Sequence, residues 1–477
     1  MKMTLLILPL FLMALSFSGC SREKTNGKAA GNGIEYPSVP RMELPAEENA
    51  YPVWTNAMLF AKPSPDEVDL GRAILAASAL KTNLAFFANA PSRGRKPCAD
   101  LLNSNMTKVA DCPLLLEWLK SRKEVLEQID KGLALGKIQY PQMTISNAVD
   151  ILHISGFMAL YKLKKINGRY LAECGDYSGA INQFCDVYKM ADMMATGHGT
   201  GVACMIRNGL IAGGYVSGLE WLSRQNAQNA SLLREILSRM PAPDPCDSML
   251  VQGFQSEASL FTLQTFEHIA EQKIYCNKIY PTRLYSLLDP EETATLAQTI
   301  FTQAATNACR PWVERNCTLI NELNRRLECA NVPKIVKTTL VQSILFATVH
   351  ANKKETIELW KPLKISARRE PNVFGLLLLK SSMDFTESAH QRSVKLRCEI
   401  NLLRASIALM IIKAETGSYP DTLDEAVKKG ILSELPVDFF SGNPLLYSSE
   451  RRCLWSIGSD EVDNGGDKKA DIFFQLP

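Results

Sequence analysis

The chain has 477 residues, of which 46% are hydrophobic, 22% charged and 8% aromatic, proportions that exclude a disordered, collagen-like or purely fibrous protein. Fifty-three Lys and Arg stand against 50 Asp and Glu, and the resulting charge of +3 is far from the basic excess of a nucleic-acid binder. Beyond the first 19 residues no apolar run approaches a membrane span, so a polytopic membrane protein is excluded as well. At about 150 residues per domain the length allows two or three domains, each able to bury a core.

The first residues, MKMTLLILPLFLMALSFSGC, read as a secretory signal over 1–19: Lys2 is the positive start, Leu5 to Leu15 the apolar centre, and Ser18-Gly19 the small-residue approach to Cys20. The ending resembles the bacterial lipobox, with Phe17 where that motif usually carries Leu. The resemblance implies that Cys20 is lipidated and becomes the mature N-terminus. It places the chain at the bacterial cell envelope, lipid-anchored and facing the periplasm or the cell exterior. Several acyl chains hold firmly, since each buried CH₂ contributes roughly 0.8 kcal/mol. Ser21 after the cysteine leans toward the outer membrane. Residues 20–47 mix Gly, Pro, Asn and charge without periodicity and read as a flexible tether.

From 48 to 390 the patterning is helical. Ser64-Pro65-Asp66-Glu67 forms a capping box ahead of Leu70, Ile74, Ala77, Leu80, Leu84 and Phe87 at helical spacing. Leu115, Trp118, Leu119, Leu126, Ile129 and Leu133 mark a second amphipathic helix. Further stripes cover 144–166, 203–223, 231–239, 248–272 and 335–350, separated by breaks such as Pro241-Ala242-Pro243-Asp244-Pro245. Gly175-Asp176-Tyr177-Ser178-Gly179-Ala180-Ile181, followed by Phe184, Tyr188 and Ala191, resembles the turn and second helix of a tetratricopeptide repeat. No copy recurs at the repeat period, so the expected body is an irregular helical-hairpin, tetratricopeptide-like array. Gly209, Gly213 and Ser217, with Gly214 and Gly218 beside them, read as close helix packing.

Twelve cysteines remain after Cys20. Cys98 with Cys112 and Cys309 with Cys317 are near enough in sequence to bridge, while Cys174, Cys185, Cys204 and Cys398 read as free thiols within helices. No C-x-x-C pair supports a zinc or redox site.

At Gln391 the character changes. An apolar-rich helix through Val394, Leu396, Ile400, Leu403, Ile407, Met410 and Ile411 leads to Thr416-Gly417-Ser418-Tyr419-Pro420, then a short helix with Leu423 and Ala426 ending at Gly430. Leu435 to Tyr447 follow, with Asp438, Phe439, Gly442, Pro444 and Leu445 in order, then a strand at Cys453–Gly458, an Asp/Gly loop and a last strand near 471–476. This order resembles the C-terminal part of the major pseudopilin of type II secretion: long helix, G-x-Y-P, short helix, D-x-F-x-G-x-P-L-x-Y, then W-S-x-G-x-D. Phe439 stands where the related motif often has Pro, and the apolar polymerisation helix of a true pilin is replaced by the lipoprotein leader. A helical body with such a tail also resembles envelope proteins of planctomycete-type bacteria. The resemblance implies a small α+β module over 391–477. It further implies a Ca²⁺ site using Asp460, Asp463, Asp467 and Asp471 with oxygens of Leu454 and Ser456, a hard-oxygen set of the kind calcium takes.

No catalytic motif emerges. The five histidines, His153, His198, His268, His350 and His390, lie outside ligand spacing. Gly197-His198-Gly199-Thr200-Gly201 opens a helix, where an anion is attracted, but reads as an inter-helix turn. The expected protein is a mainly α, non-catalytic envelope lipoprotein. It acts as a helical interaction scaffold held to the membrane by its lipid, with a protein partner in the envelope and none in nucleic acid. The alternatives are an envelope hydrolase with its site between body and tail, and a subunit of a secretion or pilus-like assembly.

Overall fold

The computed structural model describes residues 44–61, 108–110, 116, 119–140, 151–258, 289–329 and 370–477. The signal, Cys20, the capping box at 64–67, Cys98 and Cys112, and the stripe at 335–350 lie outside them. Among the described residues the protein is mainly helical, with one small three-stranded antiparallel sheet near the C-terminus. In chain order the helices are α1 (Ala50–Ala61), α2 (Lys123–Leu135), α3 (Ile151–Glu173), α4 (Tyr177–His198) and α5 (Gly201–Leu210). A π-helical segment (Ile211–Val216) leads into α6 (Ser217–Gln225), followed by α7 (Ala230–Ser238), α8 (Ser248–Glu257), α9 (Pro290–Asn307) and α10 (Thr318–Cys329). Last come α11 (Val373–Thr416), α12 (Asp424–Lys428), and strands β1 (Leu446–Ser448), β2 (Cys453–Ser456) and β3 (Ile472–Gln475).

The α3–α4 hairpin follows from its turn residues. Gly175 takes φ +87°, a left-handed conformation that a side chain disfavours, and Asp176 caps α4 by accepting from Gly179 N at 2.8 Å. Phe184 then fills the space over two glycines: a Cβ on Gly168 would come within 2.9 Å of its ring, and one on Gly218 within 2.4 Å. The small residues that pack are therefore Gly214, against Tyr161 and Val187, and Gly218. The expected stripe is displaced by one residue, because the π-helical segment adds a residue to the turn and rotates Gly213 and Ser217 away from α4 toward α3.

Buried charge ties the first helices together. Lys164 is wholly enclosed and bridges Asp130 of α2 and Asp186 of α4, the latter at 2.8 Å. Two carboxylates around one buried ammonium meet its need for compensation. At the other end Arg326 of α10 grips Glu370 with two 2.8 Å bonds and Glu292 of α9 with a third.

α11 is the longest element, 44 residues without a break. The boundary expected between 390 and 391 falls inside it. Its first half packs with α9 and α10 through Leu376, Leu379 and Met383, and with α5 and α8 through Phe385 and Ala389. In its second half every residue from Leu402 to Ile412 except Arg404 is buried. One apolar cluster runs from Trp54 of α1 through Phe157, Phe184 and Ile236 to Ile411, and on to Leu454 and Phe474 of the sheet. β2 lies between β1 and β3, with Leu446 opposite Trp455 and Leu454 opposite Phe474. The tail has strands of its own and shares one core with the body.

The cysteine pairing differs from expectation: Cys309 bonds Cys246, and Cys317 is a free thiol. Proximity in sequence favours Cys317, but the α9 C-terminus meets the Pro-rich break before α8, where Asp247 N donates to Ala308 O. Cys204, Cys398 and Cys453 are buried free thiols.

The Phe184 contact gives the first prediction. Gly218→Ala forces a methyl into the ring, and overpacking of this kind costs about 1–3 kcal/mol. Urea denaturation followed by circular dichroism is expected to show that loss with helical content unchanged.

Candidate functional site: the polar junction and the C-terminal loop

Polar side chains gather where the helical body meets the tail, and Asp438 is their hub. It is 1% exposed, and no cation bonds it among the described residues. Oδ1 accepts from Phe440 N at 2.9 Å, Ser456 Oγ at 2.7 Å and Cys398 Sγ at 3.3 Å. Oδ2 accepts from Ile457 N at 3.1 Å and Ser441 Oγ at 3.3 Å. A buried carboxylate is tolerated when its lone pairs are filled in this way. These bonds join the Leu435–Tyr447 segment to β2 and to α11. Cys398 Sγ in turn accepts from Phe439 N at 3.2 Å.

A second set links α11 to the body. Arg397 donates to Pro245 O at 2.7 Å and lies over the ring of Phe439, 4.6 Å from its centroid, so the residue that departs from the pseudopilin motif provides a face for a cation. Ser393 donates to Asp247, whose other oxygen caps α8 by accepting from Leu250 N at 3.1 Å. Arg404 donates to Met240 O at 2.6 Å. Trp312 N and Val313 N donate to Phe439 O and Phe440 O, and Arg315 bonds both Glu387 and Glu461. His390 packs its ring 5.2 Å from that of Trp312. Burial, assisted by the Arg397 and Arg315 charges, lowers its pKa to about 3, so it stays neutral at ordinary pH.

The aspartates expected to hold calcium accept hydrogen bonds from their own loop and its neighbours. Asp471 Oδ2 accepts from Gly466 N at 2.7 Å and Asp467 N at 3.1 Å. Asp463 accepts from Trp455 Nε1 and Gly465 N. Asp460 accepts from Val462 N and Asn464 Nδ2, and Asp467 from Lys469 N. Leu454 is inside β2 and the Ser456 hydroxyl is given to Asp438. Asx-type bonds of this kind close a loop without a metal. Among the described residues no group of three or more His, Cys, Asp or Glu is placed to hold one ion.

The glycine-rich Gly197–Gly201 segment is the turn between α4 and α5: Gly199 ends one helix at φ +68° and Thr200 caps the next by accepting from Ala203 N. The anion at that helix start is the chain's own Glu257, which accepts from Gly201 N at 3.1 Å. No spacing in the sequence couples residues 201 and 257. Burial raises the Glu257 pKa to about 7, against the lowering effect of the Gly201 and Val202 N–H groups.

No protein-family model, curated protein or solved structure matches the chain. No helix among the described residues is long and apolar enough to cross a membrane.

Removing the hub leaves five donors without an acceptor, and one orphaned buried group alone costs about 1–3 kcal/mol. Asp438→Ala is therefore expected to destabilise by at least about 3 kcal/mol, with hydrogen exchange of the Phe440 and Ile457 amides accelerated first. Glu257 binds more protons folded than unfolded between pH 4.5 and about 7, so its contribution to stability falls as pH rises through that window, by up to about 3 kcal/mol. Thermal melts across pH 4.5–8 should show Glu257→Gln increasingly more stable than wild type toward pH 8; parallel curves would reject the assignment.

Proposed function

We propose that the protein is a bacterial cell-envelope lipoprotein, anchored through Cys20 and held off the membrane by the 20–47 tether. Its irregular helical-hairpin body, with one tetratricopeptide-like unit at 175–191, is an interaction scaffold for a C-terminal module of type II secretion pseudopilin kind. That module serves binding rather than catalysis. The observation that carries this reading is α11, a single helix that is at once core of the body and spine of the sheet. A module built on such a spine is presented in one fixed orientation, as a docking element requires. The hub at Asp438 supports the pseudopilin comparison, since the D-x-F-x-G-x-P-L and W-S-x-G segments meet on it. The Cys246–Cys309 disulfide supports an oxidising compartment.

Two measurements on bacteria making the full chain test the proposal. Cys20→Ala should move the protein from the membrane to the soluble fraction, and unchanged retention rejects the anchor. Crosslinking in native membranes should recover an envelope protein whose yield drops when the module is loosened by Asp438→Ala. Equal recovery from that variant rejects the module as the docking element.

A further inference from the structure

The π-helical segment between α5 and α6 carries an arrangement that the scaffold reading does not use. Lys165 of α3 is 4% exposed and points its ammonium at this segment, donating to Gly213 O at 2.7 Å and to Ser217 Oγ at 3.0 Å. The Ser217 hydroxyl donates to the same carbonyl at 2.6 Å. Gly213 and Ser217 are half-buried, whereas Lys165 beside them is buried. Among the described residues no carboxylate bonds Lys165. Its neighbour Lys164, by contrast, is held between two.

From this geometry we infer that Ser217 and Lys165 are a nucleophile and general base for acyl transfer, hydrolysing esters or amides of anionic acyl groups on the surface of the helical body. The three requirements of an activated hydroxyl are met: base and nucleophile within hydrogen-bond reach, a third group (Gly213 O) orienting the base, and a base able to be neutral. Burial, with the nearby Arg169 charge, lowers the Lys165 pKa to about 7, close to where a general base works best. Segments of π-helix recur at functional sites. The acyl preference comes from Lys162 and Arg169, which flank Lys165 by one turn on either side on the same face of α3. The Arg169 guanidinium lies over the ring of Trp221, two turns before which Gly213 is found on the facing segment.

With Lys165 neutral, the Ser217 proton passes to Nζ as Oγ attacks the acyl carbon. The bond from that carbon to the leaving oxygen or nitrogen then breaks, and the leaving group takes the proton from Nζ. Water next attacks the acyl-serine, giving a proton to Nζ that returns to Oγ. One water is consumed, a carboxylic acid and an alcohol or amine are released, and no metal or redox partner takes part. This inference is independent of the envelope reading, and either can fail without the other.

The probe is the 4-nitrophenyl monoester of succinic acid, with 4-nitrophenyl acetate as the neutral comparison, applied to the purified full chain. Expected are a burst of nitrophenolate, a succinyl adduct mapped by mass spectrometry to the Ser217 peptide, and slower reaction of the acetate. Ser217→Ala should abolish burst and adduct, and Lys165→Met should slow acylation by about 10²-fold or more. If Lys165→Met does not fold, Ser217→Cys keeps the question open to test. The thiol introduced by that substitution should be alkylated by iodoacetamide at pH 7 faster than the exposed thiols of Cys174 and Cys329. Absence of an adduct at Ser217, an undiminished burst in Ser217→Ala, or a thiol in Ser217→Cys alkylated no faster than those two would overturn the proposal.

Discussion

A helix that is solvated on one face can be moved without disturbing what lies on the other, but α11 has no such freedom over its second half. From Leu402 to Ile412 every position but Arg404 is buried, by α7 and the segments preceding it on one side and by β2 and β3 on the other. Each turn therefore sets the position of both the helical body and the sheet. Any tilt of α11 would open two interfaces at once, and the cost of lost apolar contact would be incurred in both. The polar bonds along the helix, from Ser393 to Arg404, then choose one axial register among those that apolar packing alone would tolerate.

The buried charges divide into two kinds. Lys164 and Arg326 are compensated by opposite charge, whereas Asp438 and Glu257 are held by hydrogen-bond donors alone. The second kind is directional, so it specifies local backbone geometry: the turn at 438–442 in one case and the first turn of α5 in the other. Lys165 belongs to neither group. It has carbonyl and hydroxyl partners and, among the described residues, no bonded carboxylate; burial and the Arg169 charge loosen its proton, and chemistry is assigned there.

Much of this architecture is legible in the chain. Ile129 and Leu133 mark α2, Gly175-Asp176 marks the α3–α4 turn, and Cys453–Gly458 overlaps β2, because turn and strand chemistry act over a few residues. The boundary placed at Gln391 records a true change in composition, yet it marks a change of neighbours along one helix rather than a break in it. What stays hidden is set by tertiary approach. Cys246 meets Cys309 across 63 residues, Glu257 reaches Gly201 across a helix pair, and Ser217 reads as a packing residue until the π-helical segment turns it toward Lys165. The order of the loop aspartates does not tell which backbone N–H each one accepts from, and those bonds come from the folded loop.

The Cys246–Cys309 bond also has a bearing on how the chain is made. Loop closure over 63 residues restricts the unfolded ensemble by an amount equivalent to about 4 kcal/mol in the chain-entropy picture, and that contribution exists only once the thiols are oxidised. Without that bond, Asp244, Pro245 and Asp247 still hold α11 through hydrogen bonds to Arg397 and Ser393. With the two thiols reduced, the chain is thus easier to unravel than with the bond in place. Oxidation then acts as a latch, fixing the end of α9 to the break before α8.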